Sequence, residues 1–176
     1  MFYLNKDSNS QQYLTNTSIS MTFFPLSILL LSIFCPTKPR PAFCGAYIHD
    51  LGRSNDFVDR NHGAESVARH FDKFEHMWKK YGLTPQEQDY IKKAVIQHST
   101  KEWTNPGDDG YDVMAILKDA DALDRCRLGD LDPSYLRYSE SIVLIGVIRS
   151  IFVATWDINE DKTLPEFMKV LQSGRR

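Results

Sequence analysis

The stretch AYIHDLGR places His49, the first of five histidines in the chain, directly before Asp50. An imidazole and a carboxylate side by side near an apolar helix end are costly to bury without a partner. Both are good ligands for a divalent cation such as zinc, manganese or iron. Neighbouring helix residues point about 100° apart, so the two can address one ion only where the helix end faces the core. Taken alone, the dipeptide is common and reads first as a helix-end histidine beside a solvated aspartate.

Later residues shift that balance. His98 continues the face formed by Ile91 and Val95, so it points inward. Asp121 lies four residues after Leu117 and one after Ala120, at the edge of a buried stripe, where an unpaired carboxylate is expensive. His62 stands at a helix start and suits either a site or a cap. His70 and His76 lie among charged residues on an outer face and are read as solvated. Inward polar groups on separate helices can converge on one cation.

The elements that must position these residues are all helical in pattern. Residues 42–51 form a helix stopped by Gly52, as a left-handed cap would stop it. Residues 53–61 read as a polar loop, and Asn61 as the cap of a helix over 62–81. That helix buries Val67, Phe71, Phe74, Met77 and Tyr81 and ends at Gly82. Thr84-Pro85-Gln86-Glu87 is a capping box with proline at the first helical position, opening the helix that carries His98. After a loop rich in Pro, Gly and Asp, residues 111–128 form a helix with Val113, Ile116, Leu117, Ala120 and Leu123 as its buried stripe, ended by Gly129.

Asp132-Pro133 opens a long helix to about Ala154. It is apolar on most faces and therefore expected at the centre of the core. A second capping box, Thr163 to Glu166, precedes a short terminal helix. No run alternates like a strand, and there is no internal repeat or Gly-rich phosphate loop. The expected class is all-α.

Residues 1–40 differ from the rest. The first twenty are rich in Asn, Ser and Thr. The apolar run Met21–Cys35 is short against the roughly 20 residues a spanning helix needs, and Pro25 interrupts it. The expected organisation is a divergent segment, 1–40, and one helical domain, 41–176. Membrane contact through residues 21–35 is the less favoured alternative to a cytoplasmic protein. Cys35, Cys44 and Cys126 are odd in number and widely spaced, which argues against a disulfide framework and for a reducing compartment. A formal net charge of −2 gives no broad grip on extended nucleic acid, but leaves room for a small charged substrate.

The sequence AYIHDLGR, followed in order by HG, IQHS and LKDADALDR, resembles the HD-domain superfamily of metal-dependent phosphohydrolases over roughly residues 42–155. The resemblance implies a single all-α HD-domain-like bundle. It implies a metal held by His49, Asp50 and Asp121, with Asp50 touching both the metal and the water that cleaves the phosphate ester. His62 and His98 fall where family members hold a second ion or a phosphate. The ion is divalent: manganese, cobalt, zinc, iron or magnesium. The substrate is a small phosphorylated molecule such as a nucleotide.

A phosphate also calls for a cation. Arg53 is placed for bidentate contact, or equally for the dipole of the preceding helix; Lys101 and Lys118 are further candidates. Trp103, in the loop after His98, could cover a base or sugar or simply be an exposed loop residue. The family pattern also includes a histidine on a helix well before the HD pair. In this chain no histidine precedes His49, so that helix is expected to be replaced or missing. Cys44, about 140° round the helix, is a poor substitute. The alternative function is a catalytically impaired relative that acts as a binding or regulatory module.

Overall fold

A computed structural model describes residues 39–54 and 59–155. Among them every regular element is helical. Helix α1 spans Pro39–Ile48, α2 His62–His70, α3 Glu75–Lys80, α4 Pro85–His98, α5 Tyr111–Asp124 and α6 Ser139–Thr155.

The centre of the core is α4, packed against α5, α1 and α2. Ile91, Ala94 and Val95 of α4 are fully buried against Ala42, Cys44 and Ile48 of α1 and against Val113, Ile116, Leu117, Ala120 and Leu123 of α5. Both ends of α4 follow from local sequence. Thr84 accepts a hydrogen bond from the Glu87 amide, Glu87 accepts one from the Thr84 amide, and Pro85 fills the first turn, where no amide is needed. In its last turn, the buried Gln97 side chain accepts from the amides of Trp103 and Thr104 at 2.8 and 2.9 Å, fixing the loop behind His98. Gly110, at φ +83°, starts α5 where a Cβ would lie 2.5 Å from the Tyr90 ring.

Four expectations change. The single helix over 62–81 is broken by a 3-10 turn at Phe71–Phe74. There the Trp78 indole, itself buried, donates to the Phe71 carbonyl at 3.1 Å, taking that acceptor away from a regular helical ladder. The helix over 111–128 stops at Asp124 and continues as a 3-10 turn. The long helix expected from Asp132 is a 3-10 turn at Pro133–Tyr135, an extended Leu136, and only then α6. The break lets the amides of Arg137 and Tyr138 donate to the buried Asp119 carboxylate.

Nor is α6 central. Leu144 and Ile148 are buried, but Ile142, Val143, Val147 and Val153 are exposed. Its apolar composition reports one packed face and one open one.

Smaller differences bear on the site. Asn61 makes no side-chain cap to α2. Gly82 and Gly129 have the positive φ expected of helix-ending glycines, whereas Gly52 does not. The need at Gly52 is close approach: a Cβ there would sit 2.3 Å from the Ser66 amide nitrogen. No helix among the described residues is long and apolar enough to cross a membrane. The apolar run 21–35, Cys35 and the capping box at 163–166 lie outside the described residues.

Candidate metal centre

Three segments meet at one end of the bundle. The turn after α1 carries His49 and Asp50, the first turn of α2 carries His62, and the last turn of α4 carries His98. Ser66 ties the first two together: its hydroxyl donates to the His49 carbonyl and accepts from the Gly52 amide, each at 2.7 Å. Gly63 lets α2 approach the end of α4, since a Cβ at that position would be 2.2 Å from the Val95 carbonyl oxygen. A side chain larger than hydrogen at 52 or 63 would push these segments apart.

The polar atoms then crowd together. The Nε2 atoms of His62 and His98 are 2.8 Å apart. Asp50 Oδ1 is 3.0 Å from His62 Nε2 and 3.4 Å from His98 Nε2. The other carboxylate oxygen, Oδ2, is 3.6 Å from His49 Nε2 and 3.5 Å from Arg53 Nη1. Ligand atoms of His49, Asp50 and His98 all lie within 4.8 Å of one another, a group that could hold a metal ion.

The other ring nitrogen of each imidazole decides the chemistry. Nδ1 of His49 faces the Ala46 carbonyl at 2.7 Å, Nδ1 of His98 faces the Val95 carbonyl at 2.5 Å, and Nδ1 of His62 faces the Asp59 carbonyl. A carbonyl only accepts, so each Nδ1 carries the hydrogen. In the neutral rings Nε2 is then a lone pair. Two lone pairs at 2.8 Å, with a carboxylate oxygen at 3.0 Å from one of them, repel unless a cation sits among them. The candidates are a proton and a metal.

Two ligands each about 2.1 Å from one ion, at angles between octahedral and tetrahedral, lie roughly 3.0–3.4 Å apart. The observed spacings are close to that range, so the donor set fits a divalent metal.

Without a metal, protons do the balancing. The hydrogen bond to Asp50 raises the His62 pKa, against the opposing effect of burial. Burial raises the Asp50 pKa, but hydrogen bonds from His62 and His98 and the nearby imidazole charges outweigh it. The carboxyl is held well below the usual carboxylate range. His49 moves the other way: burial lowers its pKa, more than Asp50 and Asp121 raise it.

The remaining expected residues fall into two groups. Asp121 is half-buried, close enough for its charge to act on His49, and makes no hydrogen bond or ion pair among the described residues. It lies outside the group of mutually close ligand atoms and lines a neighbouring cavity of about 700 Å³. Lys101 and Lys118 line the same cavity. The Lys118 ammonium is already engaged, donating to the carbonyls of Gln97 and Thr100 at 2.9 and 3.0 Å and lying 3.1 Å from Glu102. Its burial lowers its pKa. Cys44 is fully buried and its thiol is pushed up to about 11, mainly by burial, so it is no thiolate ligand. His70 is half-buried and His76 exposed, both outside the cluster.

Asp119, two residues before Asp121 on the same helix, has a structural task. Fully buried, it accepts from the Arg137 and Tyr138 amides at 3.0 Å, from Arg137 Nη1 at 3.0 Å and from the Ser141 hydroxyl at 2.6 Å. It anchors the start of α6. The clamps Ser66, Gly63 and Gln97 were missed altogether. Of these, only the glycine beside His62 carried a readable signal, a residue type that permits close approach.

Comparison with known proteins finds no match for the chain among family models, curated proteins or solved structures.

Proposed function

We propose that this chain is a divalent-metal-dependent phosphohydrolase that cleaves a phosphate ester of a small molecule. One observation carries the reading: imidazole lone pairs and an ionised carboxylate, fixed by backbone carbonyls behind them, converge at spacings of 2.8–3.4 Å. Structural histidines in a core usually have one nitrogen satisfied by a donor. Here acceptors face acceptors, which costs free energy unless a cation binds.

His49, Asp50 and His98 would hold one ion, with His62 beside Asp50 and His98 on the side away from His49, and with Asp121 at the edge toward the cavity. The two oxygens of Asp50 face different imidazoles, Oδ1 toward His62 and His98 and Oδ2 toward His49, an arrangement that suits a carboxylate shared between two ions. When bound, a divalent ion supplies Lewis acidity, making water a competent nucleophile near neutral pH and stabilising charge on phosphoryl oxygens. Arg53, 3.5 Å from Asp50 and partly exposed, is placed to grip a phosphate arriving from solvent. The resemblance to the HD-domain superfamily supports hydrolysis as the chemistry; the geometry supports metal binding.

A metal-binding regulatory module without turnover is the second reading. It is favoured by the sequence feature that no histidine precedes His49. The test is turnover of p-nitrophenyl phosphate by the purified chain with manganese, cobalt, zinc, iron or magnesium in turn. Metal-dependent release of phosphate, abolished by Asp50→Asn, supports the enzyme. Stoichiometric metal with no turnover under any ion supports the module.

A further inference from the structure

The last turn of α4 carries His98, and a helix end leaves its final carbonyls without partners inside the helix. Three of these carbonyls are met by side chains. The Val95 carbonyl faces Nδ1 of His98 at 2.5 Å, which fixes Nε2 as the lone pair of that ring. The Ile96 carbonyl accepts from the Thr100 hydroxyl at 3.3 Å. The Gln97 carbonyl, next to His98 in the chain, accepts from the Lys118 ammonium at 2.9 Å. The same ammonium donates to the Thr100 carbonyl at 3.0 Å.

Lys118 belongs to α5, so its two bonds clamp residues 97–100 to another helix. A cation also suits the partial negative charge at a helix C-terminus. An ammonium has three N–H donors and no acceptor. Two are given to the carbonyls, and Glu102 lies 3.1 Å away for the third. Glu102 pairs in turn with Arg137, and Arg137 with Asp119, which braces the clamp against the start of α6. A phosphate would reach this ammonium only by displacing one of its three partners.

We infer, resting on the metal-centre reading above, that Lys118 is a positioning residue for the ligand His98 and not a substrate-binding residue. It holds the last turn of α4 in the shape that presents the His98 Nε2 lone pair to the ion. Without the clamp the turn frays and the Val95 carbonyl no longer faces Nδ1. The ring is then free to rotate, or to take the tautomer whose Nε2 carries hydrogen and cannot ligate.

The test measures manganese affinity by calorimetry and the urea midpoint on the full chain, for the parent, Lys118→Met and Lys93→Met. Lys118→Met keeps an apolar stem and removes the donors. Lys93, on the exposed side of α4 and paired with Asp89, is the control. The expected result for Lys118→Met is an affinity lower by about 10–100-fold, the range for changed outer-shell partners, with Lys93→Met at the parental value. A lowered midpoint with parental affinity would make the clamp structural only and overturn the inference. So would parental affinity with a raised KM for p-nitrophenyl phosphate, the signature of a substrate contact. If Lys118→Met does not fold, Lys118→Gln, which keeps a shorter neutral donor, decides by the same criteria. If the parent binds no manganese, the metal-centre reading fails by itself, and NMR of the metal-free chain decides the action on His98. The His98 ring resonances should then shift in Lys118→Met while those of His70 stay, and unmoved His98 resonances overturn the inference.

Discussion

At the residue scale, the centre is defined by which nitrogen carries the hydrogen. With Nδ1 of His49, His62 and His98 each held by a backbone carbonyl, the sequence could supply the imidazoles but not their tautomers. Two predictions belong here. His98→Gln and Asp50→Asn each remove an inward ligand atom, and metal affinity should fall by more than the roughly 10–100-fold seen when outer-shell partners are changed. Competition with a fluorescent chelator measures it.

The second prediction concerns pH. The folded His62 pKa is raised, so in metal-free protein its pairing with Asp50 contributes stability that is full below the unfolded value near 6.5. That contribution is lost as pH rises through the higher folded value. Urea midpoints with chelator present should therefore drop between pH 6 and the alkaline side, and His62→Gln should flatten the trend. Metal affinity should run the opposite way and rise with pH, because the ion needs the proton gone.

At the scale of elements, the site depends on clamps as much as on ligands. Gly63→Ala would drive a methyl group against the Val95 carbonyl. It should cost roughly 1–3 kcal/mol and weaken metal binding although no ligand is touched. A matched pair separates the two aspartates of α5. Asp119→Ala removes the buried acceptor of the Arg137 and Tyr138 amides, the Arg137 guanidinium and the Ser141 hydroxyl, and should cost roughly 3–5 kcal/mol by urea denaturation. Asp121→Ala should leave the midpoint nearly unchanged but abolish turnover. The reverse pattern would mean that the assignment of Asp121 is mistaken.

Much of the element layout was legible in the sequence. The Thr84 capping box, the Ile91–Val95–His98 face and the stripe on α5 are local signals, and the structure has them. The breaks were not legible. The 3-10 turn at Phe71 arises from an indole seven residues ahead donating to a main-chain carbonyl. The delayed start of α6 arises from a carboxylate on another helix drawing the amides of Arg137 and Tyr138. Both are tertiary effects that no window of periodicity contains. The apolar run in α6 misled for the complementary reason: composition reports that a face can be buried, not that something covers it.

At the scale of the whole molecule, α1, α4 and α5 form the packed unit, and polar groups gather where the ends of α1 and α4 meet the start of α2. Order in the chain runs His49–Asp50, His62, His98, so three turns from distant positions must be brought into register before any ligand set exists. A bound metal should therefore report on the fold as a whole. Saturating ion raises the unfolding midpoint by mass action, about 2.7 kcal/mol at a hundred times the dissociation constant. The variant without His98 should lose that gain.

The most direct measurement is the metal content and affinity of the purified full chain, by plasma mass spectrometry and calorimetry, beside Asp50→Asn and His98→Gln. The account predicts at least one tightly held divalent ion per chain in the parent and a large loss in both variants. A parent that retains no divalent ion, or variants that bind as well as the parent, would contradict it.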